Sequence, residues 1–318
     1  MRALAILISA AVFSAAAAAQ TYPARPVRMV VPFAPGGAVD TVARALGQKL
    51  GESWGQPVLV DSKPGAGGNI AADAVSKAPA DGYTLLITTQ GFAISPGLYK
   101  KLPFDAVRDF APVTQLTSSF LVLVCSPQLP SQSIRELVAL ARSKPNAINY
   151  GSTGTGAPPH LLGELLKSTS GIDMLHVPYK GDAPLTQALL AGEVQVAFMP
   201  LAGVLPHIRS GRLRALGVSG KTRSATLPDV PTFTEAGIPF EFTGWLGIFA
   251  PAAAPRELVA QIRRDIAKAI VAPDLLERWP AWGYEPVGNT PEEFSARLAA
   301  DMAMYAKVIR DAKIPLQD

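Results

Sequence analysis

Apolar positions along this chain switch period repeatedly, and proline or glycine marks each switch. Val27 to Val31 is a short, mostly apolar run, which suits a strand buried on both faces of a parallel sheet. Pro32 ends it, Pro35-Gly36-Gly37 makes a turn, and Val39, Val42, Ala43, Leu46 and Leu50 then recur at helical spacing along one stripe. Asp40 stands where an N-cap belongs. A glycine turn between a buried strand and a helix leaves backbone N–H groups pointing outward at the positive end of the helix dipole, a place that favours a carboxylate or a phosphate.

The same device returns. Val58 to Asp61 predicts a second strand, and Pro64-Gly65-Ala66-Gly67-Gly68-Asn69 turns it into a helix from about Ile70 to Lys77. Tyr83 to Thr88 predicts a third, ending in the polar group Thr88-Thr89-Gln90. Asp109 to Cys125 reads as one extended, increasingly apolar stretch, and Ser133 and Glu136 have capping-box spacing for a helix reaching about Lys144. In the middle third, strands at Ile148–Tyr150, Met174–Val177, Val194–Phe198 and Leu213–Val218 alternate with helices at about His160–Ser170, around Leu185, Leu189 and Leu190, and through His207. Phe242 to Ala250 reads as a return strand, and Arg256–Val271 and Pro291–Lys313 as helices, with Pro291 at a first helical position.

This alternation predicts two α/β units joined by two chain crossings, with residues 20–123 and 246–318 in one lobe and 124–245 in the other. Loops at the carboxyl ends of parallel strands form a ligand crevice, so the glycine loops of the two lobes should face one cleft that closes about the crossings.

Composition narrows the function. Arg2, the apolar run Ala3–Ala15 and Ala17-Ala18-Ala19 read as a secretory leader over residues 1–19, which predicts an exported, soluble mature protein. Cys125, the single cysteine, has no partner for a disulfide and lies in an apolar run, so it reads as a packing residue. A net charge of +4 over 318 residues, with scattered basic residues and no basic patch among aromatics, argues against nucleic acid and is compatible with a small anionic ligand.

Candidate chemistry is that of holding an anion rather than reacting with it. Backbone N–H groups near Gly37, Gly67 and Gly156 and the hydroxyls of Ser152, Thr153 and Thr155 can donate to carboxylate oxygens. Asp40 either caps its helix or meets a cationic group of the ligand, such as an ammonium. Lys180 either pairs with a ligand carboxylate or is a solvated loop residue. His160 and Glu164 have the spacing of two ligands on one helix face, but the chain lacks any His-Glu-x-x-His or cysteine pattern, so no metal is expected. Ile70 stands where a dinucleotide fingerprint needs its third glycine, and no glycine loop ends in Gly-Lys-Ser/Thr, so no cofactor is implied. Ser152 and His160 can meet, yet no third group marks an oriented base, which leaves an enzyme unsupported.

Seven segments together resemble a known family: Pro32-Phe33-Ala34-Pro35-Gly36-Gly37-Ala38-Val39-Asp40, Gly65 to Ile70, Asp81-Gly82-Tyr83-Thr84-Leu85, Tyr150-Gly151-Ser152, His176 to Gly181, Gly211 to Leu216 and Leu227 to Thr232. In order, over essentially the whole mature chain, they are similar to the tripartite tricarboxylate transporter substrate-binding proteins, or Bug receptors. The resemblance implies a two-lobed periplasmic binding protein of type II-like topology, a monomer, that closes on a di- or tricarboxylate, an acidic amino acid or an aromatic acid and serves a membrane permease. It also implies that one carboxylate is held, with ordered water, by Phe33, Gly36, Gly37, Ala38 and Asp40 of the first loop and Gly67 and Asn69 of the second, near Thr89 and Gln90. The other lobe is implied to contribute Ser152, Thr155, His160, Tyr179, Lys180 and Gly181.

Two positions depart from the family pattern. Gln187 precedes Ala188-Leu189-Leu190 where many members carry an acid, and Met199-Pro200-Leu201 follows Phe198 where many carry a polar residue. The second departure makes that wall apolar and leans toward an aromatic or aliphatic acid over a citrate-like one. The rival readings are a sensory protein that reports the same ligand to a membrane kinase, and a secreted hydrolase using Ser152 and His160.

Overall fold

The computed structural model describes residues 22–179 and 181–318, so the leader expected over residues 1–19 and the side chain of Lys180 lie outside the described residues. Strands β1 (Val27–Val31), β2 (Val58–Ser62), β3 (Thr84–Thr89), β4 (Phe110–Ser119), β10 (Gly244–Pro251) and β11 (Glu285–Pro286) form one sheet in the order β11-β4-β10-β3-β1-β2. Strands β5 (Leu121–Cys125), β6 (Asn149–Ser152), β7 (Leu175–Pro178), β8 (Val196–Pro200) and β9 (Arg214–Val218) form the other, in the order β7-β6-β8-β5-β9. Two mixed α/β sheets with flanking helices make the two-lobed binding-protein architecture that the alternating pattern predicts.

Strand directions decide where a ligand can sit. In the first sheet β1, β2 and β3 run parallel, and β10 runs antiparallel to both β3 and β4. The carboxyl ends of β1 to β4 and the amino end of β10 therefore share one rim, with Gly244 opposite Ser119 and Leu246 opposite Thr89. In the second sheet β6, β7 and β8 run parallel while β5 opposes β8, so Leu121 at the start of β5 lies beside Pro200 at the end of β8. Both sheets thus turn their carboxyl-end rims toward the place where the chain passes between them.

Asp109 to Cys125 is not one strand. It breaks at Phe120, with Ser119 ending β4 in one sheet and Leu121 opening β5 in the other. The pattern shows an apolar run without a break because β5 is buried at every position and has no polar face to mark its register. Residues 121–123 consequently pair in the second sheet and Gly244 and Trp245 in the first.

Helix α1 (Ala38–Trp54) buries the expected stripe Val39, Val42, Ala43, Leu46 and Leu50, each valine or leucine stabilising the fold by about 1.5–3 kcal/mol relative to exposure. A short 3-10 turn at Ala66–Gly68 leads into α2 (Asn69–Ser76). Helix α3 (Gly91–Leu98) is absent from the sequence reading, since a Gly-Phe-Ala-Ile-Ser-Pro-Gly-Leu segment is apolar on all sides and carries both residues that normally interrupt helices. Helices α4 (Ile134–Ser143), α5 (Pro158–Ser170), α6 (Asp182–Ala191) and α7 (Leu201–Arg209) serve the second sheet. The Ser133 hydroxyl accepts from the Glu136 N–H, as the capping-box spacing requires. After β10 come α8 (Arg256–Ala269), two single-turn helices α9 (Pro273–Leu276) and α10 (Trp279–Trp282), and α11 (Pro291–Asp311), which opens on a complete capping box between Thr290 and Glu293. Cys125 is fully buried in the core.

Helix α11 lies so close to β10 that a Cβ built on Gly247 would come within 2.2 Å of the Phe294 ring. Gly247→Ala is expected to cost about 1–3 kcal/mol through overpacking, and Thr290→Ala about 1 kcal/mol through the lost cap. Urea midpoints of the two variants check the order, with the glycine variant the weaker.

Candidate functional site

The first loop is built by a charge turned inward. Gly37, not Asp40, is the N-cap of α1, and Asp40 lies one turn inside the helix, where it is 2% exposed. Its Oδ2 accepts from the Gly36 N–H at 2.9 Å and from Arg44 Nε at 2.8 Å, and its Oδ1 accepts from Arg44 Nη2 at 3.0 Å. The Arg44 hydrogen bond, followed by the Gly36 N–H, holds the Asp40 carboxyl below its ordinary value against the cost of burial. Asp40 therefore shapes the loop and is neutralised by Arg44, which removes the repulsion a bare carboxylate would exert on an anionic ligand. Gly36 takes a positive φ of 83°, whereas Gly37 is extended and has room for a side chain. Phe33 packs partly buried against the core under the sheet.

The second glycine loop leans on the first, since a Cβ on Gly68 would meet Pro32 at 3.1 Å, and Gly67 faces the Tyr99 hydroxyl. Asn69 opens α2 buried, and its side-chain N–H2 has no protein partner among the described residues. At the end of β3, Thr89 Oγ1 accepts from the Gly91 N–H, and Gln90 Oε1 accepts from the Trp245 N–H at 3.2 Å.

The second lobe's predicted residues split into an inner and an outer set. Ser152 is fully buried, and its Oγ lies 2.6 Å from Nε2 of His176, not of His160. The Gly154 carbonyl lies 3.0 Å from the same hydroxyl. With Nε2–H of His176 donating to Ser152, the serine proton is donated to the Gly154 carbonyl. His160 is also buried, accepts from the Gly156 N–H through Nδ1 at 2.9 Å, and stacks on His176 with centroids 3.8 Å apart. Burial first, then the positive Lys167 for His160 and the His160 ring for His176, lowers both imidazoles to about 4. Glu164 turns to Tyr150 and Lys167 rather than to His160, and no group of three or more metal-binding side chains occurs among the described residues. Thr155 is exposed on the loop, Tyr179 donates its backbone N–H to the Ser152 carbonyl, and Gly181 caps α6 at φ 103°.

Between the rims lies a cavity of about 340 Å³. Ala38, Thr89 and Gln90 of the expected site line it; Phe33, Gly36, Gly37, Asp40, Gly67, Asn69, Ser152, Thr155, His160, Tyr179 and Gly181 do not. Its remaining wall was not expected from the sequence: Ser119, Phe120 and Leu121 at the first crossing, Trp245 and Leu246 at the second, Asp182 at the start of α6, Met199 to Gly203 after β8, and Trp282 to Tyr284. The crossings carried a usable signal, because a hinge between two rims must line whatever lies between them.

A model of the tripartite tricarboxylate transporter family receptor matches residues 42–313. The chain belongs to this family of Bug receptors. BugT of Bordetella pertussis is 36% identical over 315 residues, covering 98% of this chain and 97% of that protein. A solved R. palustris protein with adipate is 34% identical at a TM-score of 0.81, covering 93% of this chain and 100% of that one. MatC of Rhodopseudomonas palustris with bound malate is 30% identical at a TM-score of 0.76, covering 91% and 100%. This receptor therefore shares its two-lobed fold with proteins that hold small dicarboxylates, and the seven sequence segments that resemble the family do identify it.

The buried histidine pair has a pH consequence. The unfolded chain takes up protons near the ordinary value of 6.5 while the native pair resists them to about 4, so the receptor's stability is full above 6.5 and falls as pH drops through that window. His176→Gln, which keeps a donor for Ser152, should flatten the fall. Thermal melts of both proteins from pH 7 to 4 measure it, and parallel curves would assign the acid sensitivity elsewhere.

Proposed function

We propose that this receptor is exported to the periplasm, captures a small carboxylate by closing its lobes on the cavity, and delivers it to a membrane permease of the tripartite tricarboxylate type. The observation that carries this reading is the convergence of both carboxyl-end rims on one cleft of about 340 Å³, lined from both sheets and both crossings. Beside that space the first two loops present glycine backbone and the unpartnered donor of Asn69, which suit a carboxylate reached directly or through water. Relatives with adipate and malate support a carboxylate as the ligand class. Met199, Pro200 and Leu201 supply the apolar wall that favours an aromatic or aliphatic acid. Domain boundaries follow the sheets, and the protein acts as a monomer without cofactor or metal and without turnover of its ligand. Lys180 remains a candidate partner for a ligand carboxylate.

A thermal-shift screen of residues 20–318 against dicarboxylates, citrate, acidic amino acids and aromatic acids tests the reading. A ligand at 100 times its dissociation constant should stabilise the fold by about 2.7 kcal/mol. Gly37→Val should abolish that shift while keeping the parent melting temperature, because the nearest atom to an added Cβ is the Ala34 carbonyl oxygen at 3.5 Å. An unchanged shift in the variant would remove the first loop from the site. Loss of uptake in a strain lacking the protein separates transport from sensing.

A further inference from the structure

One acidic side chain in the cavity wall is unaccounted for by carboxylate capture. Asp182 is the first residue of α6, directly after the Gly181 cap, and it lines the cavity together with Met199, Leu201, Trp282 and Tyr284. Among the described residues its carboxylate accepts no hydrogen bond and makes no ion pair; the contact it makes outside the helix ladder is through its backbone carbonyl, which accepts from Thr186 Oγ1 at 2.8 Å. Asp40, the other acid near the loops, is tied to Arg44 and lies outside the cavity wall. Asp182 is therefore the one acid among the residues that line this cavity.

Its position has two effects of the same sign. Asp182 is exposed at the cavity wall, so a second carboxylate on a ligand that fills this space would be brought beside a negative charge while both lose water, and the pair is driven toward giving up one of its ionised forms. The start of α6 would otherwise attract that second carboxylate, but an acid in the first turn already answers the positive end of the helix. A hydroxyl or an ammonium at the same place would instead find an acceptor with free lone pairs. Tyr284 lines the same cavity, and burial followed by the Asp182 charge pushes its hydroxyl up to about 12.

Resting on the receptor reading above, we infer that Asp182 is the specificity-determining residue of the cleft and selects an acid with one carboxylate and a hydrogen-bond donor, hydroxyl or ammonium, at its far end. The carboxylate end lies toward Ala38, Thr89 and Gln90 at the first-lobe rim of the cavity and the donor end toward Asp182.

Two matched probe series test this by calorimetry: adipate against 6-hydroxyhexanoate and 6-aminohexanoate, and terephthalate against 4-hydroxybenzoate and 4-(aminomethyl)benzoate. In at least one series the parent protein should bind a donor-bearing acid at least ten-fold more tightly than its dicarboxylate. Asp182→Asn should then tighten the dicarboxylate at least ten-fold and weaken the ammonium probe at least ten-fold, with an unchanged melting temperature for the free protein. Asp182→Ser gives the same comparison should the asparagine variant fold poorly. Binding of the probes with a ranking that neither variant alters beyond two-fold would overturn the role of Asp182 and leave the receptor reading standing. No binding of any probe to the parent protein, alongside no hit in the wider carboxylate screen, would overturn both.

Discussion

The cleft depends on how the return strand β10 is anchored at the point where the chain re-enters its first sheet. Every residue of β10 is buried, and at its amino end the Trp245 indole N–H donates to Asp301 Oδ2 at 2.7 Å. Arg297 holds the same carboxylate through Nε at 2.9 Å and reaches the Thr243 carbonyl through Nη2 at 2.6 Å. A mostly buried ion pair is costly to assemble, but with its remaining atoms hydrogen-bonded it fixes one geometry, and removing one partner would strand the other charge. Here it fastens the last helix to the second crossing. Gln90 then ties the end of β3 to the same residue by accepting the Trp245 N–H. Gln90, directly after the third strand, is thus positioned by the hinge, whereas the Thr89 hydroxyl is held by the Gly91 N–H of its own loop.

A second constraint comes from α3. Its carboxyl end stands between the two glycine-loop systems, with Tyr99 against Gly67 of the first lobe and Leu98 against Gly156 of the second. A Cβ on Gly156 would fall 2.3 Å from a Leu98 methyl, so the second-lobe loop rests directly on a first-lobe helix. Behind that loop Ser152, hydrogen-bonded to His176, and the His176–His160 ring stack, tied to the Gly156 N–H, give it a stiff backing. The glycines of the second loop system therefore serve lobe contact as much as any ligand. A binding protein that closes needs such a fulcrum, since lobes joined only by two extended strands would sample many relative angles.

Much of the architecture is legible because strand and helix periods differ and glycine and proline punctuate each change. Helix α1, the strands β1 to β3 and the helix of residues 291–311 stand in the structure within a few residues of their expected places. What stayed hidden has specific causes. The break at Phe120 lies inside a run buried on both sides, where period 2 vanishes. Helix α3 combines Pro96 with two glycines and forms because its surroundings bury Phe92, Ala93, Ile94 and Leu98. The partner of Ser152 is His176 because β6 and β7 pair in parallel, a long-range register that no local pattern encodes.

The same reasoning explains why the two aspartates were assigned unequally. Asp40 sits in the most recognisable loop of the chain, so its charge attracts a functional reading, yet Arg44 one helical turn later is the spacing at which an opposite charge reaches back to neutralise it. Asp182 directly follows the Tyr179-Lys180-Gly181 turn, yet nothing near it in sequence shows that the start of α6 lines the same cavity as Tyr284 of the other lobe. Whether a carboxylate near a binding site repels or selects depends on which charges and donors surround it in space. For the first residue the answer is local and can be read from a four-residue offset; for the second it requires both crossings, the β5–β8 pairing and the short helix that ends at Trp282. Ligand choice in a two-lobed receptor is therefore written mainly in residues that meet only when the two sheets are assembled.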